Sequence, residues 1–191
     1  MSCYAVLDLE MCRIPRTCTE TSLSHEIIQI GAVLLDDNYE TVDTFMTHVH
    51  PQYGTIDPFI EKLTGITKED VANAPAITEA LTLFLQWLPE DAVIVSWSDS
   101  DRYQMMDEID LKELGFPELD PYFDEWIDCQ YTFGEKMDSD RQYKLSEALN
   151  ITAIPYDEGE HDALVDAKNT ALLFAKMEKE PELQLSPYLI R

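Results

Sequence analysis

At 191 residues with 45% of them apolar, the chain is long enough and hydrophobic enough to close one core without covalent staples. Thirteen Lys and Arg against 38 Asp and Glu give a formal charge of −25, which excludes a basic nucleic-acid coat protein and a polybasic membrane binder. No apolar stretch approaches the roughly 18 residues of a membrane span, and the opening MSCYAVLDLE has acids at positions 8 and 10 and no basic start, unlike a signal peptide. A soluble, cytoplasmic protein is expected. Cys3, Cys12, Cys18 and Cys129 form no C-x-x-C pair and read as free thiols rather than a zinc site.

Residues 4–10 (YAVLDLE) read as a short strand, and 11–24, with Pro15 and several Thr and Ser, as a polar loop. Residues 26–35 (EIIQIGAVLL) are a long β-branched strand, turned by Asp36, Asp37 and Asn38 into a third strand over 41–49. Short helices are expected over 57–63 and after Thr67, whose spacing to Asp70 suits a capping box. Residues 76–88 carry Ala80, Leu81, Phe84, Leu85 and Leu88 at helical spacing, and 92–97 (AVIVSW) read as a buried strand. A helix from about Asp101, an acidic stretch to Asp128, and helices over 143–149 and 161–178 complete the pattern. No linker divides the chain, so one domain over 1–191 is expected, with a core of about 4–178 and a tail at 179–191. Strands first, then helices alternating with a buried strand, indicate an α/β layered domain around a mixed sheet.

Three segments carry chemistry. Asp8 and Glu10 are two apart on a strand, so both carboxylates share a face while Leu7 and Leu9 point into the core. Such a pair either ends in solvent or holds a hard divalent cation such as Mg²⁺ or Mn²⁺. In SWSDSDR, directly after the buried strand, Asp101 falls at a helix start, where a cap is the plainer explanation and Asp99 competes. In EHDALVDAKNTALLF, His161 and Asp166 are five apart, about 140° around a helix, so His161 belongs at or before the helix start. Asp166 lies among Ala163, Val165, Ala167 and Ala171, a costly place for a carboxylate without a partner or a metal, and Asp162 is its rival.

Taken in this order, the three segments resemble the DEDDh exonucleases. HEIIQIGAVLLD with TVDTFMTHVHP is similar to that family's second and third strands, and FIEKLTGITKEDVANAP to its L-T-G-I-T segment; the similarity spans about residues 4–175. Within the family the flavour is closest to the KapD-like and enhanced-RNAi-type 3′–5′ exonucleases, with RNase T and the proofreading exonuclease subunit further away. Ser98 stands where the family commonly has Gly, and Met11 where it often has a smaller residue.

The resemblance implies an RNase H-like fold, a central mixed five-stranded sheet flanked by helices. It implies release of 5′-mononucleotides from the 3′ ends of single-stranded or short DNA or RNA, with two Mg²⁺ or Mn²⁺ ions. Asp8, Glu10, Asp101 and Asp166 match the four acidic ligands, Asp8 bridging both ions and Asp101 acting through water. His161 matches the general base, and Met11, Leu63, Thr64 and His161 would meet the terminal nucleotide. Two other readings are an oligoribonuclease-like enzyme for very short RNA and a non-catalytic acidic interaction protein of the same fold.

The charge restricts the substrate. A chain at −25 repels nucleic acid within the Debye length, about 10 Å at 0.1 M salt, so binding must rest on local cations, for which Lys136, Arg141, Lys144 and Lys168 are candidates. Trp97, Tyr103, Tyr122, Phe123 and Trp126 could stack bases, although core packing explains most of them. Between Asp99 and Asp128 eleven acids face only Arg102 and Lys112, which reads as a solvated face or a repulsive wall.

Overall fold

A computed structural model describes residues 3–156, 161–180 and 182–183. Three strands, β1 (Cys3–Arg13), β2 (His25–Leu35) and β3 (Thr41–His48), form an antiparallel meander. Then come α1 (Pro58–Thr64), α2 (Lys68–Ala72) and α3 (Ile77–Trp87), all on segments with helical signals. Strand β4 (Ala92–Ser96) pairs in parallel with β1, and the two-residue β5 (Ile127–Asp128) pairs in parallel with β4. The sheet order is β3-β2-β1-β4-β5, mixed and five-stranded, as the resemblance implies. The remaining helices are α4 (Ser100–Leu111), α5 (Asp120–Asp124), α6 (Cys129–Lys136), α7 (Leu145–Ile151) and α8 (Ala163–Lys179).

Period-two alternation along β1 divides the core. Ala5, Leu7 and Leu9 pack with Phe84 of α3 and with Met105 and Ile109 of α4. Val6 faces the opposite layer, with Val33, Val95, Phe133 of α6 and Phe174 of α8. Each of the larger side chains contributes about 1.5–3 kcal/mol of burial, so both faces are firmly covered. Continuing along the Val6 face, the next two residues are Asp8 and Glu10. The strand therefore turns from apolar to acidic on the side where α8 begins.

The main departures from expectation lie near that acidic end. β1 does not stop at residue 10 but runs to Arg13, because β2 is long enough to keep pairing with it; the ladder shifts register between Glu10 and Met11. The stretch from Asp99 to Asp128 is not simply a solvated face, since Asp101 and Glu108 within it are buried. Helix α6 was not anticipated, because the periodicity of CQYTFGEK is weak. All four cysteines are free. Among the described residues no helix is long and apolar enough to cross a membrane. The expected tail begins in the last turn of α8 and beyond residue 183 lies outside the described residues, as do residues 157–160 just before His161.

Candidate active site

Strand β1 supplies Asp8 and Glu10, on one face as expected. Glu10 is buried, and Asp8 keeps part of its surface open although protein surrounds it closely. Helix α4 supplies Asp101 from its first turn. Asp101 is buried, and its Oδ1 accepts the Leu9 backbone N–H at 3.1 Å, which ties the helix start to β1. Asp99 occupies the cap position but accepts no capping hydrogen bond there.

The start of α8 sorts its two acids. Asp162 is the cap: its Oδ1 accepts from Leu164 N at 3.0 Å and Val165 N at 3.1 Å. Asp166 reaches back instead, and its Oδ2 accepts the His161 backbone N–H at 2.9 Å. His161 precedes the helix with a left-handed φ of 72°. Gln29, opposite Glu10 in the ladder, fixes this turn to the sheet, its Oε1 accepting Ala163 N–H at 2.9 Å. As a result Glu10, His161 and Asp166 place ligand atoms within 4.8 Å of one another. Asp8 and Asp101 lie beside this trio rather than in it.

The electrostatics of the cluster are those of carboxylates without enough compensation. Burial, then repulsion from Asp101, Asp166 and Glu10, pushes Asp8 well above the carboxylate range. Burial, then Asp166 and Asp101, raises Glu10 to about 8. Asp101 is raised by burial and by the charges of Asp166 and Asp128, against the pull of the Leu9 N–H. Buried like charges are expensive unless a cation joins them. A close set of carboxylate oxygens with one imidazole suits a hard divalent ion, so the residues present fit the metal dependence that the sequence suggests.

Two clefts meet over the cluster and share Asp8, Trp97, His161 and Asp166. One, of about 490 Å³, is walled by Gln130, Tyr143, Lys144 and Tyr156. The other, of about 360 Å³, is walled by Glu10, Met11, Arg13, Phe59, Leu63 and Asp101. Met11 and Leu63, expected at the terminal nucleotide, thus line the second cleft. Thr64 lines neither cleft: its hydroxyl donates to Ile60 O at 2.9 Å and accepts from Ile66 N at 3.1 Å, closing the end of α1.

Of the expected cations, only Lys144 lines either of these two clefts. Arg141 is bound to Glu147 at 2.6 Å, and Lys136 and Lys168 line neither cleft. The cation missed by the sequence reading is Arg13, whose guanidinium lies 5.0 Å above the Phe59 ring. Nothing local in the sequence marks it, since residue 13 leaves the expected loop only because β2 keeps pairing with β1. Among the aromatics, Trp97 reaches both clefts. Phe123 and Trp126 are stacked in the core, and Trp126 donates to Ser96 Oγ at 2.7 Å. Tyr122 donates to Pro89 O, and Tyr103 is exposed away from both clefts.

A family model for exonucleases, of the RNase T type, matches residues 5–174. The chain belongs to this exonuclease family. Relatives of the chain include the ERI1 exoribonuclease 2 of Danio rerio, 33% identical over 183 residues that cover 83% of this chain and 32% of that one. The human 3′–5′ exoribonuclease 1 is 29% identical over 175 residues, 84% of this chain and 49% of that one. The chain thus spans about a third to a half of the length of these two relatives. Among solved structures, the nuclease domain of 3′hExo, a DEDDh family member bound to rAMP, superposes with a TM-score of 0.80 at 25% identity, covering 96% of each chain. Exonuclease I of E. coli in complex with a dA16 oligonucleotide shares the fold, with a TM-score of 0.69 at 14% identity.

Proposed function

We propose that the protein is a metal-dependent 3′–5′ exonuclease that hydrolyses the terminal phosphodiester of single-stranded or short nucleic acid and releases 5′-mononucleotides. One observation carries this reading: carboxylates from β1, α4 and α8, far apart in sequence, converge with His161 where two clefts meet. The names of the relatives, exoribonucleases, favour RNA as the substrate.

Asp8, Glu10, Asp101 and Asp166 would hold two Mg²⁺ or Mn²⁺ ions. When bound, such ions neutralise the carboxylates and stabilise charge on the attacking and leaving oxygens of the phosphate. The chain's own residues do the rest. His161 accepts the proton of the attacking water at its imidazole, the task for which histidine is suited near neutral pH. The water oxygen bonds to phosphorus as the P–O3′ bond breaks, and the departing 3′-oxygen takes up a proton from solvent to leave a 3′-hydroxyl on the shortened strand. Met11, Phe59 and Leu63 offer an apolar wall for the terminal nucleoside, and Thr64 supports that wall from behind. Arg13 and Lys144, one in each cleft, supply the local positive charge that an acidic protein needs to hold phosphates.

The test is a 5′-labelled single-stranded RNA 20-mer and its DNA counterpart, incubated with Mg²⁺ or Mn²⁺. A ladder shortening from the 3′ end, abolished by EDTA, is expected, with long duplex a poor substrate. Failure to shorten any single strand with either metal overturns the reading.

A further inference from the structure

Three charged side chains outside the acidic cluster are almost wholly withdrawn from water. Lys112 Nζ lies 2.6 Å from Glu26 Oε1 and 2.7 Å from Glu108 Oε1, with side-chain exposures of 5%, 0% and 1% for Lys112, Glu26 and Glu108. Buried ion groups of this kind are often replaceable by apolar side chains without loss of stability. Their value has to be sought in what they hold in place.

Each glutamate grips a different segment beside the clefts. Glu108 Oε2 accepts the backbone N–H of Ile27 at 2.9 Å. Ile27 is the partner of Met11 at the register shift next to Glu10, so this bond pins β2 where the ligand strand changes step. Glu26 accepts the backbone N–H groups of Gln52 at 3.0 Å, Tyr53 at 2.8 Å and Gly54. Those residues lead into α1, which carries Phe59 and Leu63. Gly54 has no room for a side chain, since a Cβ there would fall 2.3 Å from Cys12 Sγ. Lys112 joins the two glutamates.

The same face of α4 repeats the grip. Asp101, Gln104 and Glu108 follow at spacings of three and four, which aligns them along one side of a helix. Asp101 accepts from Leu9 N, Gln104 Nε2 donates to His25 O at 3.1 Å, and Glu108 accepts from Ile27 N. Helix α4 is thereby stapled to β1 and β2 over successive turns, with a metal-binding carboxylate at one end and the ion triad at the other.

We infer that Glu108, with Lys112 and Glu26, is a positioning unit for the reaction: it locks α4, the β1–β2 register shift and the approach to α1 together, and so fixes the distance between Asp101 and Glu10 and the width of the nucleotide cleft. This rests on the proposed metal-dependent nuclease reading. Misplacement of catalytic groups by about 1 Å can cost on the order of 10²-fold in rate, which sets the scale of what the triad protects.

The test compares wild type with Glu108→Gln, Glu108→Leu and Lys112→Met. The readouts are Mn²⁺ affinity by calorimetry, and kcat and KM on a single-stranded oligonucleotide, with a cooperative melt as the check on folding. Glu108→Leu leaves the Ile27 N–H without its acceptor; it should bind Mn²⁺ about tenfold more weakly and lose about 10–100-fold in kcat. Glu108→Gln keeps an acceptor oxygen for Ile27 and should recover much of both losses. If the leucine variant does not fold, the glutamine and Lys112→Met variants carry the same comparison, with Lys112→Met expected to weaken Mn²⁺ binding. Folded variants that match wild type in Mn²⁺ affinity and kcat overturn the inference. A wild type that neither binds Mn²⁺ nor cleaves overturns the functional reading instead.

Discussion

The backbone N–H of His161 donates to Asp166 Oδ2 at 2.9 Å. A carboxylate of the acidic cluster therefore fixes the residue proposed as proton acceptor, and it does so while His161 is held in a left-handed conformation, φ 72°. That conformation costs a non-glycine residue about 1–2 kcal/mol, so the surroundings impose it. His161→Ala should lower the single-turnover rate by about 10²–10⁴. His161→Gly should lose as much rate yet melt as a protein about 1 kcal/mol more stable than the alanine variant, because glycine adopts this φ freely. Undiminished turnover in either variant would rule out the proton-acceptor role.

Metal and proton compete for the same carboxylates. Glu10 is raised from its ordinary value of 4.5 to about 8, by burial and then by Asp166 and Asp101, and Asp8 is raised as well. In EDTA the folded state therefore binds more protons than the unfolded chain, and stability should fall as pH rises from about 5 to 8. Mg²⁺ or Mn²⁺ should reverse this, with the largest rise in melting temperature at the alkaline end. Asp8→Asn removes one of the repelling charges. It should raise the melting temperature in EDTA at pH 8, abolish most of the metal-induced shift and eliminate activity. A wild-type melting temperature indifferent to both pH and metal in this range would contradict the arrangement.

Asp162 and Asp166 are both acids at the start of α8, and they should fail differently. Asp162 accepts two N–H groups of the first turn as the cap. Its replacement by Ala should destabilise the protein by about 1 kcal/mol while leaving a metal-induced rise in melting temperature. Asp166→Ala should lose that rise. Thermal melts of the two variants with and without Mn²⁺ make the comparison, and equal metal responses would sink the distinction.

The acidic cluster was legible because its residues obey short-range rules. The period of two put Asp8 with Glu10, but the strand-to-helix junction offered Asp99 beside Asp101 and the start of the last helix offered Asp162 beside Asp166, and the family resemblance made the choice. The walls of the clefts were less legible because they depend on partners distant in sequence. Arg13 was assigned to a loop, since nothing local shows that β2 continues the ladder beyond Glu10. Glu108 looked like one more solvated acid; its burial follows from Glu26, Lys112 and Ile27 meeting it across two other elements. Thr64 matched a motif by position, but its hydroxyl is used within α1 and the adjoining turn.

Gly31 shows how closely the fold and the site are joined. It pairs with Asp8 in the β1–β2 ladder, and a Cβ added to it would lie 2.3 Å from the carbonyl carbon of Ala163 and 2.3 Å from Leu164 N. These are backbone atoms of the first turn of α8, so no side-chain rotation relieves the clash. The helix start must lift from the sheet, carrying with it the cap at Asp162 and the His161–Asp166 pair. Overpacking of this kind typically costs about 1–3 kcal/mol, and the displaced carboxylate should also weaken metal binding. Gly31→Ala should therefore lower the melting temperature, shrink the Mn²⁺-induced rise and reduce kcat, whereas Gly115→Ala, where a Cβ meets nothing within 4 Å, should affect stability alone through its positive φ. If Gly31→Ala lost stability but kept full Mn²⁺ response and turnover, the close approach of α8 to β2 would be a packing feature without a part in placing the site.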